Sequence, residues 1–329
     1  MLAIAHISQK RIICISIIDS LDMRISLRQL EIFAGIALAE NVSKAADRLA
    51  MSQSAASSAL LELEKAFDNP LFDRVGKRLL LNSTGRGLLP AVHALLSQAK
   101  DIEAYLGGGA PGPLNIGATL TIGNYLAPLL LAEYMRRYVD ARAQLHVANT
   151  DAIVEHVLHF ESDLGLIEGD VNHPDLFVEP WIKDELVIFC APRHALAAAG
   201  SADNETLLRH EWILRERGSG TRSQFDRIVA VALGHLNIRL ELEHTEAIKR
   251  AVESGLGIGC LSRLSLREAF RRGSLIEIKT PQFDLHRRFY FVRCRHRHVS
   301  SAARSFLALC GEVTQGAPTT DDLSLPFIP

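Results

Sequence analysis

Residues 107–113 read GGGAPGP, and this run separates two segments with different hydrophobic periods. Glycine and proline at that density continue neither a helix nor a strand, so the run is read as a flexible hinge linker. Before it, apolar residues recur at steps of three and four. After it, short apolar runs alternate with amphipathic stretches. The chain must therefore join a helical amino-terminal part to an α/β carboxy-terminal part. At 329 residues and 48% hydrophobic, it can bury more than one core. Its formal net charge of −2 means that any nucleic-acid surface must be local.

The amino-terminal segment reads as three short helices and a wing. Leu27, Leu30, Phe33, Ala34, Ala37 and Leu38 share one helical face. Ser43 is placed to cap a second helix, SKAADRLA, whose Ala45, Ala46 and Ala50 allow close helix packing. Ser52 or Ser54 can cap a third, with Ala56, Leu60, Leu63 and Phe67 as its inward stripe. Two helices across a tight turn form a helix-turn-helix. The third helix starts bare: Gln53, Ser54, Ser57 and Ser58 are short enough to let its backbone into a major groove and can hydrogen-bond bases or phosphates. LFDRVGKRLLL follows as a two-stranded wing, with Gly76 in the turn and Arg74, Lys77 and Arg78 suited to flanking phosphates. The competing reading is a serine-rich solvent-facing helix in an ordinary three-helix core.

Leu88, Val92, Leu95, Ala99, Ile102 and Leu106 then alternate steps of four and three, the pattern of a dimerising coiled-coil seam, although a helix packed within one subunit carries the same stripe. Pro90 should bend this helix or mark its true start.

Beyond Pro113, LNIGAT, QLHVAN, LGLIEG, LVIFCAP, EWILRE, RLELEH, IGCLSR and FYFVRC read as strands, with helices such as IGNYLAPLLLAEYMRRY and TEAIKRAVESG between them. Two lobes are expected, 114–190 with 286–310 and 191–285, hinged near Cys190 to Pro192 and again near 284–289. A ligand would lie in the cleft between them. Thr119, Thr121, Asn149, Thr150, Glu168 and Gly169 fall at strand ends of the first lobe. Gly218, Ser219, Gly220, Thr221 and Thr245 fall at helix starts of the second. Hydroxyls and backbone N–H groups at helix starts make a donor array for a small anion. Taken singly, each is equally well a helix cap.

These segments resemble a known family. LRQLEIF, SKAADRLAMSQSAASSALLELEKAF, PLFDRVGKRLLL and TGRGLLP are similar, in order and spacing, to the amino-terminal domain of LysR-type transcriptional regulators. The resemblance implies an α/β protein with a winged helix-turn-helix at 24–83, a dimerisation helix at 84–106 and a two-lobed effector domain at 114–310 built like a periplasmic binding protein. It implies a cytoplasmic homodimer or homotetramer on double-stranded promoter DNA, with RNA polymerase as a further partner and no membrane association. IGATLTIGNYLAP, LGLIEG, EPWIKDELVIF, EWILRERGSGTR and TEAIKRAVESGLGIGCLSR are similar to the YeiE-like and CysL-like, sulfur-metabolism branch of that family. The resemblance implies sulfite as the small-anion effector, with Thr119, Thr121, Thr150, Glu168, Gly220, Thr221 and Thr245 around it and no cofactor. Glu168 beside a dianion must be protonated, turned away or bonded to a hydroxyl, or else it serves to exclude sulfate.

Other classes fit less well. SGLGIG follows a helix and precedes a strand, the reverse of a dinucleotide loop, so Gly255 reads as a helix stop. RGSGT lacks the glycine that a nucleophile elbow needs two places before its serine, so no enzyme is read here. His296 and His298 sit among arginines, which discourages a metal. Cys14, Cys190, Cys260, Cys294 and Cys310 are far apart and read as reduced thiols. IICISII at 12–18 lacks a cleavage site and is too short to span a bilayer, so residues 1–23 read as an extension, with translation starting at Met1 or Met23. A transport solute-binding protein would share the two lobes but have no use for a helix-turn-helix. The tail, 311–329, with its Pro and Asp residues, is expected to be disordered.

Overall fold

A computed structural model describes residues 23–76, 78–107, 111–169, 171–295 and 297–323. The extension at 1–22, Lys77, His296 and the last six residues of the tail lie outside these. The chain divides into two units, Met1–Leu96 and Ser97–Pro329, which are taken in turn.

In the first unit, helix α1 (Leu27–Ala39) starts at a capping box: the Ser26 hydroxyl accepts the Gln29 N–H while the Gln29 side chain accepts the Ser26 N–H. Leu30, Ile32, Phe33 and Ile36 are its buried residues. Leu27 and Leu38, placed on that face by periodicity, are exposed, because the buried arc is centred on Phe33 and they lie at the ends of the helix. Helix α2 (Val42–Arg48) is capped by Asn41, whose Oδ1 accepts the Lys44 N–H at 3.0 Å, rather than by Ser43, which is already helical and exposed. Ala45 and Ala46 are buried where α2 meets its neighbours. Helix α3 (Gln53–Phe67) is capped by Ser52, whose hydroxyl accepts the Ala55 N–H at 3.2 Å. Ala56, Leu60 and Leu63 face inward, whereas Phe67 is exposed, with the Arg24 guanidinium 4.8 Å above its ring. Strands β1 (Phe72–Val75) and β2 (Arg78–Leu81) pair antiparallel, Phe72 opposite Leu81 and Val75 opposite Arg78. Gly76, at φ 62°, occupies their turn, a conformation that glycine adopts without strain.

Helix α4 (Ser83–Leu106) spans 24 residues and runs through Pro90, so the proline does not mark its start. Its apolar stripe divides into a buried part and an exposed part. Val92, at 2% exposure, is part of the first unit's core and Leu88 packs against it. Neither is free to form an intersubunit seam, because near its start the helix turns this face toward its own domain. Ile102 at 61% and Leu106 at 78% are exposed, as is Leu95.

The second unit is built on one sheet. Its strands are β3 (Leu114–Thr119), β4 (Ala143–Ala148), β5 (Leu164–Glu168), β6 (Leu176–Cys190), β7 (Glu211–Arg215), β8 (Asn237–Leu242), β9 (Ile258–Ser262), β10 (Ile276–Ile278) and β11 (His286–Cys294). Among the described residues the order is β4-β3-β5-β11-β6-β9-β7-β8, with β10 also beside β6. β3 lies parallel to β4 and β5, and β7 parallel to β8 and β9, which defines two α/β lobes. β6 and β11 run antiparallel and carry the chain between them. β6 pairs with β11 as far as Glu185, then with β9 from Leu186 to Phe189. The crossover is therefore at 184–186, not at Cys190 to Pro192: the strand stays extended and only exchanges partners. The Leu186 N–H donating to the Leu285 carbonyl at 3.0 Å marks the return.

Helices α5 (Leu120–Tyr125), α6 (Ala127–Arg137) and α7 (Thr150–Leu158) follow the first-lobe strands. α8 (Ala195–Ala199), α9 (Asn204–Leu208), α10 (Gly220–Phe225), α11 (Thr245–Glu253) and α12 (Arg263–Arg271) belong to the second lobe. α10 continues through a π turn at Asp226–Ala230. The last helix, α13 (Ser301–Thr314), passes beyond residue 310, and Leu323 is buried in the first-lobe core with Thr320 buried beside it. The tail is thus packed at least as far as Leu323, because Leu323 finds an apolar site and Thr320 a buried acceptor.

Candidate effector and DNA-binding sites

Three strand ends, of β3, β5 and β11, and two helix starts, of α5 and α10, meet at Glu168. It ends β5 with its side chain fully enclosed. Its Oε1 accepts the Thr119 hydroxyl at 3.0 Å and the Thr121 N–H at 2.8 Å. Its Oε2 accepts the Thr221 hydroxyl at 2.9 Å and Arg287 Nη1 at 2.8 Å. Thr119 and Thr121 come from the first lobe, Thr221 from the second and Arg287 from the crossover. Thr150 adds a second link: its hydroxyl donates to the Glu168 carbonyl at 3.2 Å and accepts the Gly220 N–H at 3.1 Å. A Cβ at Gly220 would collide with the Glu168 carbonyl, so only glycine allows this approach. Gly169, at φ 88°, faces it from the other lobe.

Of the other candidates, Asn149 and Ser219 act locally and Gly218 links the lobes. Asn149 caps α7 and Ser219 caps α10, accepting the Ala152 and Arg222 N–H groups at 3.1 and 3.4 Å. The Gly218 carbonyl accepts the Asp151 N–H at 3.4 Å. Thr245 opens α11 with a buried hydroxyl that has no hydrogen-bond partner among the described residues.

Behind Glu168 lies a network that the strand and motif pattern did not single out. Arg287 Nε donates to Asp184 Oδ2 at 2.7 Å, and Asp184 Oδ1 accepts the Ser262 and Thr320 hydroxyls, both at 2.8 Å. Two buried carboxylates thus share one guanidinium. Burial pushes the Glu168 pKa up, but the Arg287 charge, the Thr121 and Thr221 hydrogen bonds and the Arg215 charge outweigh it and hold the group down at about 2. For Asp184, burial dominates and raises the pKa above its ordinary value despite Arg287. The sequence does carry a signal for both. Asp184 shares strand parity with the buried Ile182, Leu186 and Ile188, and Arg287 with Phe289 and Phe291, so each is a charge where the alternation calls for an apolar residue.

Cys190, Cys260, Cys294 and Cys310 are unpaired and buried. Burial raises Cys190 to about 11 and Cys260 to about 12, so these thiols stay protonated and unreactive. Among the described residues, no cluster of His, Cys, Asp or Glu is arranged to hold a metal. No described helix is long and apolar enough to cross a membrane.

In the first unit, Gln53, Ser54, Ser57 and Ser58 are all exposed along the first turns of α3, and Ser52 caps it from an exposed position. Arg74 and Arg78 are exposed on the wing strands, with Arg78 Nη1 3.5 Å from Glu40 Oε2. Ser43 is exposed on α2.

Residues 27–86 match the family model described as "Bacterial regulatory helix-turn-helix protein, lysR family", and residues 107–315 match "LysR substrate binding domain". The chain is a LysR-type transcriptional regulator. The regulator is 43% identical over 288 residues to the uncharacterized HTH-type transcriptional regulator YeiE of Escherichia coli, covering 88% of this chain and 98% of that one. It is 29% identical to the HTH-type transcriptional regulator CysL of Bacillus subtilis, covering 80% and 89%. Among solved structures, full-length OxyR from Pseudomonas aeruginosa superposes with a TM-score of 0.70 at 21% identity, over 93% of this chain and 99% of that one, which shows the shared fold. The Synechocystis CcmR regulatory domain in complex with 2-PG matches with a TM-score of 0.56 at 29% identity, over 63% of this chain and 99% of that domain. The regulator therefore binds DNA through its winged helix-turn-helix and a small molecule through its lobes, and is not an enzyme.

Proposed function

We propose that this regulator senses a small oxyanion, with sulfite the first candidate, at the Glu168 array, and that it acts as a homodimer or tetramer joined through α4 on a partly palindromic promoter. The observation that carries the reading is the convergence of the Thr119 hydroxyl, the Thr121 N–H, the Thr221 hydroxyl and Arg287 Nη1 on one carboxylate. A carboxylate is itself an oxyanion, so Glu168 occupies the position that these donors are built to serve. An incoming anion that takes over some of them changes the bonds between lobes, and with them the lobe equilibrium. That change would pass to DNA bending or polymerase recruitment.

Charge decides among oxyanions. A dianion beside ionised Glu168 is repelled, whereas a singly protonated oxyanion can donate its proton to the carboxylate as a hydrogen bond. Sulfite titrates near neutrality and offers such a form; sulfate does not. A second reading, a small organic acid, is favoured by the likeness to the CcmR domain with bound 2-PG.

The test is calorimetric titration of the full-length protein with sulfite, and in parallel with sulfate, thiosulfate, O-acetylserine and 2-PG. Saturable binding of sulfite that is absent for sulfate and lost in Thr221→Ala, which removes one of the hydroxyl donors, is the expected result. Binding of 2-PG alone would replace sulfite with the organic-acid reading, and no binding of any of them would overturn the assignment of this array to these ligands.

A further inference from the structure

We propose that the regulator carries a second anion site at the crossover, beside the Glu168 array and distinct from it, and that it takes a compact small-molecule polyanion. Lys183 on β6 and Arg288 on β11 stand directly opposite each other in the antiparallel register. Like charges so placed repel, and neither has a carboxylate within ion-pair distance among the described residues. Their neighbours on the other face of the same strands, Asp184 and Arg287, form the buried ion pair described above. Alternation thus sends one matched pair inward and one repelling pair to the opposite face. Immediately after Arg288 the pairing slips, between Arg288 and Tyr290, which opens the ladder at this point.

Lys183 and Arg288 line a cavity of about 520 Å³. Its other wall comes from the second lobe: Gln224 on α10 donates from Nε2 to the His286 carbonyl at 3.1 Å, and Arg227 donates to the Gln224 amide oxygen, which fixes both side chains. Gly169 contributes from the first lobe. Among the described residues Asp284 is the one carboxylate in the lining, and the His286 imidazole engages it at 2.7 Å. Arg287 also lines the cavity, but Glu168 and Asp184 balance its charge. The result is a cationic cavity assembled from both lobes. Its size is that of a metabolite site rather than of a single inorganic ion, and its two facing cations suit at least two negative charges. A phosphorylated acid and a tricarboxylate share this chemistry. Either would bridge the lobes from behind the crossover and would add its own bias to their equilibrium.

The experiment is calorimetry on the full-length protein in low-chloride buffer, with 3-phosphoglycerate, citrate and inorganic phosphate as separate probes. Saturable binding of 3-phosphoglycerate or citrate, weakened roughly tenfold or more in both Lys183→Gln and Arg288→Gln and unchanged in Thr221→Ala, is expected. Which of the two polyanions binds identifies the headgroup, and inorganic phosphate should bind more weakly than either. Because each variant removes a repulsion, neither should melt below the parent protein, which separates loss of the site from loss of the fold. No saturable binding of either polyanion, or binding that survives both substitutions, overturns the proposal. Binding lost in Thr221→Ala and kept in Arg288→Gln also overturns it, by placing the ligand in the Glu168 array. Sulfite titration of Arg288→Gln stays as in the parent whether or not this second site exists, so the two readings fail independently.

Discussion

Glu168 accepts from four groups drawn from both lobes, and glutamine cannot replace it, because an amide turns donors toward donors. Glu168→Gln leaves Arg287 with Asp184 as its remaining carboxylate, and breaking a buried pair in this way should destabilise the effector unit by about 3 kcal/mol. The effect depends on pH in a defined direction. Glu168 is lowered from 4.5 to about 2, so its contribution is complete above about 4.5 and is lost as the pH falls through about 2. Asp184 is raised, so its contribution has the opposite sign: present below 3.8 and lost as the pH rises through its higher native value. Urea midpoints of the parent and Glu168→Gln should therefore converge as the pH falls from about 5 toward 2; parallel curves would mean that Glu168 is not held ionised. Thr320→Val removes one hydroxyl from Asp184 and should cost about 2 kcal/mol in the same assay. At this scale the sequence was partly legible. The threonines at strand and helix junctions are visible by position, and three of the named groups, Thr119, Thr121 and Thr221, meet at the Glu168 carboxylate, while Thr150 bonds its backbone carbonyl and Gly220 bonds Thr150. Position alone does not show that an internal carboxylate already engages them. The Asp184, Ser262 and Thr320 layer was missed because its members come from distant parts of the chain and form no local motif.

Among the elements, α4 divides its apolar stripe between a buried part and an exposed part proposed for self-association, and substitutions should separate them. Val92→Ala removes two buried methyl groups from the first unit's core and should lower its stability by roughly 2 kcal/mol without changing subunit association. Ile102→Asp, at an exposed position, should leave folding intact and weaken self-association by roughly thirtyfold or more. Sedimentation velocity across a concentration series distinguishes the two; an unchanged association constant in Ile102→Asp would remove this part of the helix from the interface. Periodicity alone could not make the division, since a core contact and a seam contact have the same spacing. The strands show a similar limit. The eight apolar runs named from sequence all carry strand, but the first half of β6 did not stand out, because Pro180 interrupts it. Pro180 is tolerated opposite Tyr290, where the register slips and ladder bonding is already disturbed. β10, Ile276–Ile278, is too short to give a periodic signal.

For the molecule as a whole, the DNA-reading unit should respond to salt through its wing. Arg74→Ala should weaken binding to all sequences alike and flatten the dependence of affinity on salt by roughly one unit of slope for each phosphate contact removed. Fluorescence anisotropy on promoter fragments over a salt series measures this, and an unaltered slope would place Arg74 away from the phosphates. The two-lobed plan was readable because strands and helices alternate, and the return crossing near 284–289 was marked by the approach to FYFVRC. The outward crossing lies earlier than the sequence suggests, since an extended strand that changes partners at 184–186 carries no glycine or proline there to announce it. The order of these crossings also governs how the chain is made. β3, β4 and β5 leave the ribosome first, yet the first half of β6 joins them through β11, whose last residue is Cys294. Every other strand of the second lobe has emerged by Ile278. The lobe begun earlier is therefore the one finished later, and a nascent chain stalled before residue 286 would hold a completed second lobe beside an open first one, unable to sense anything until translation had moved past the strand that joins them.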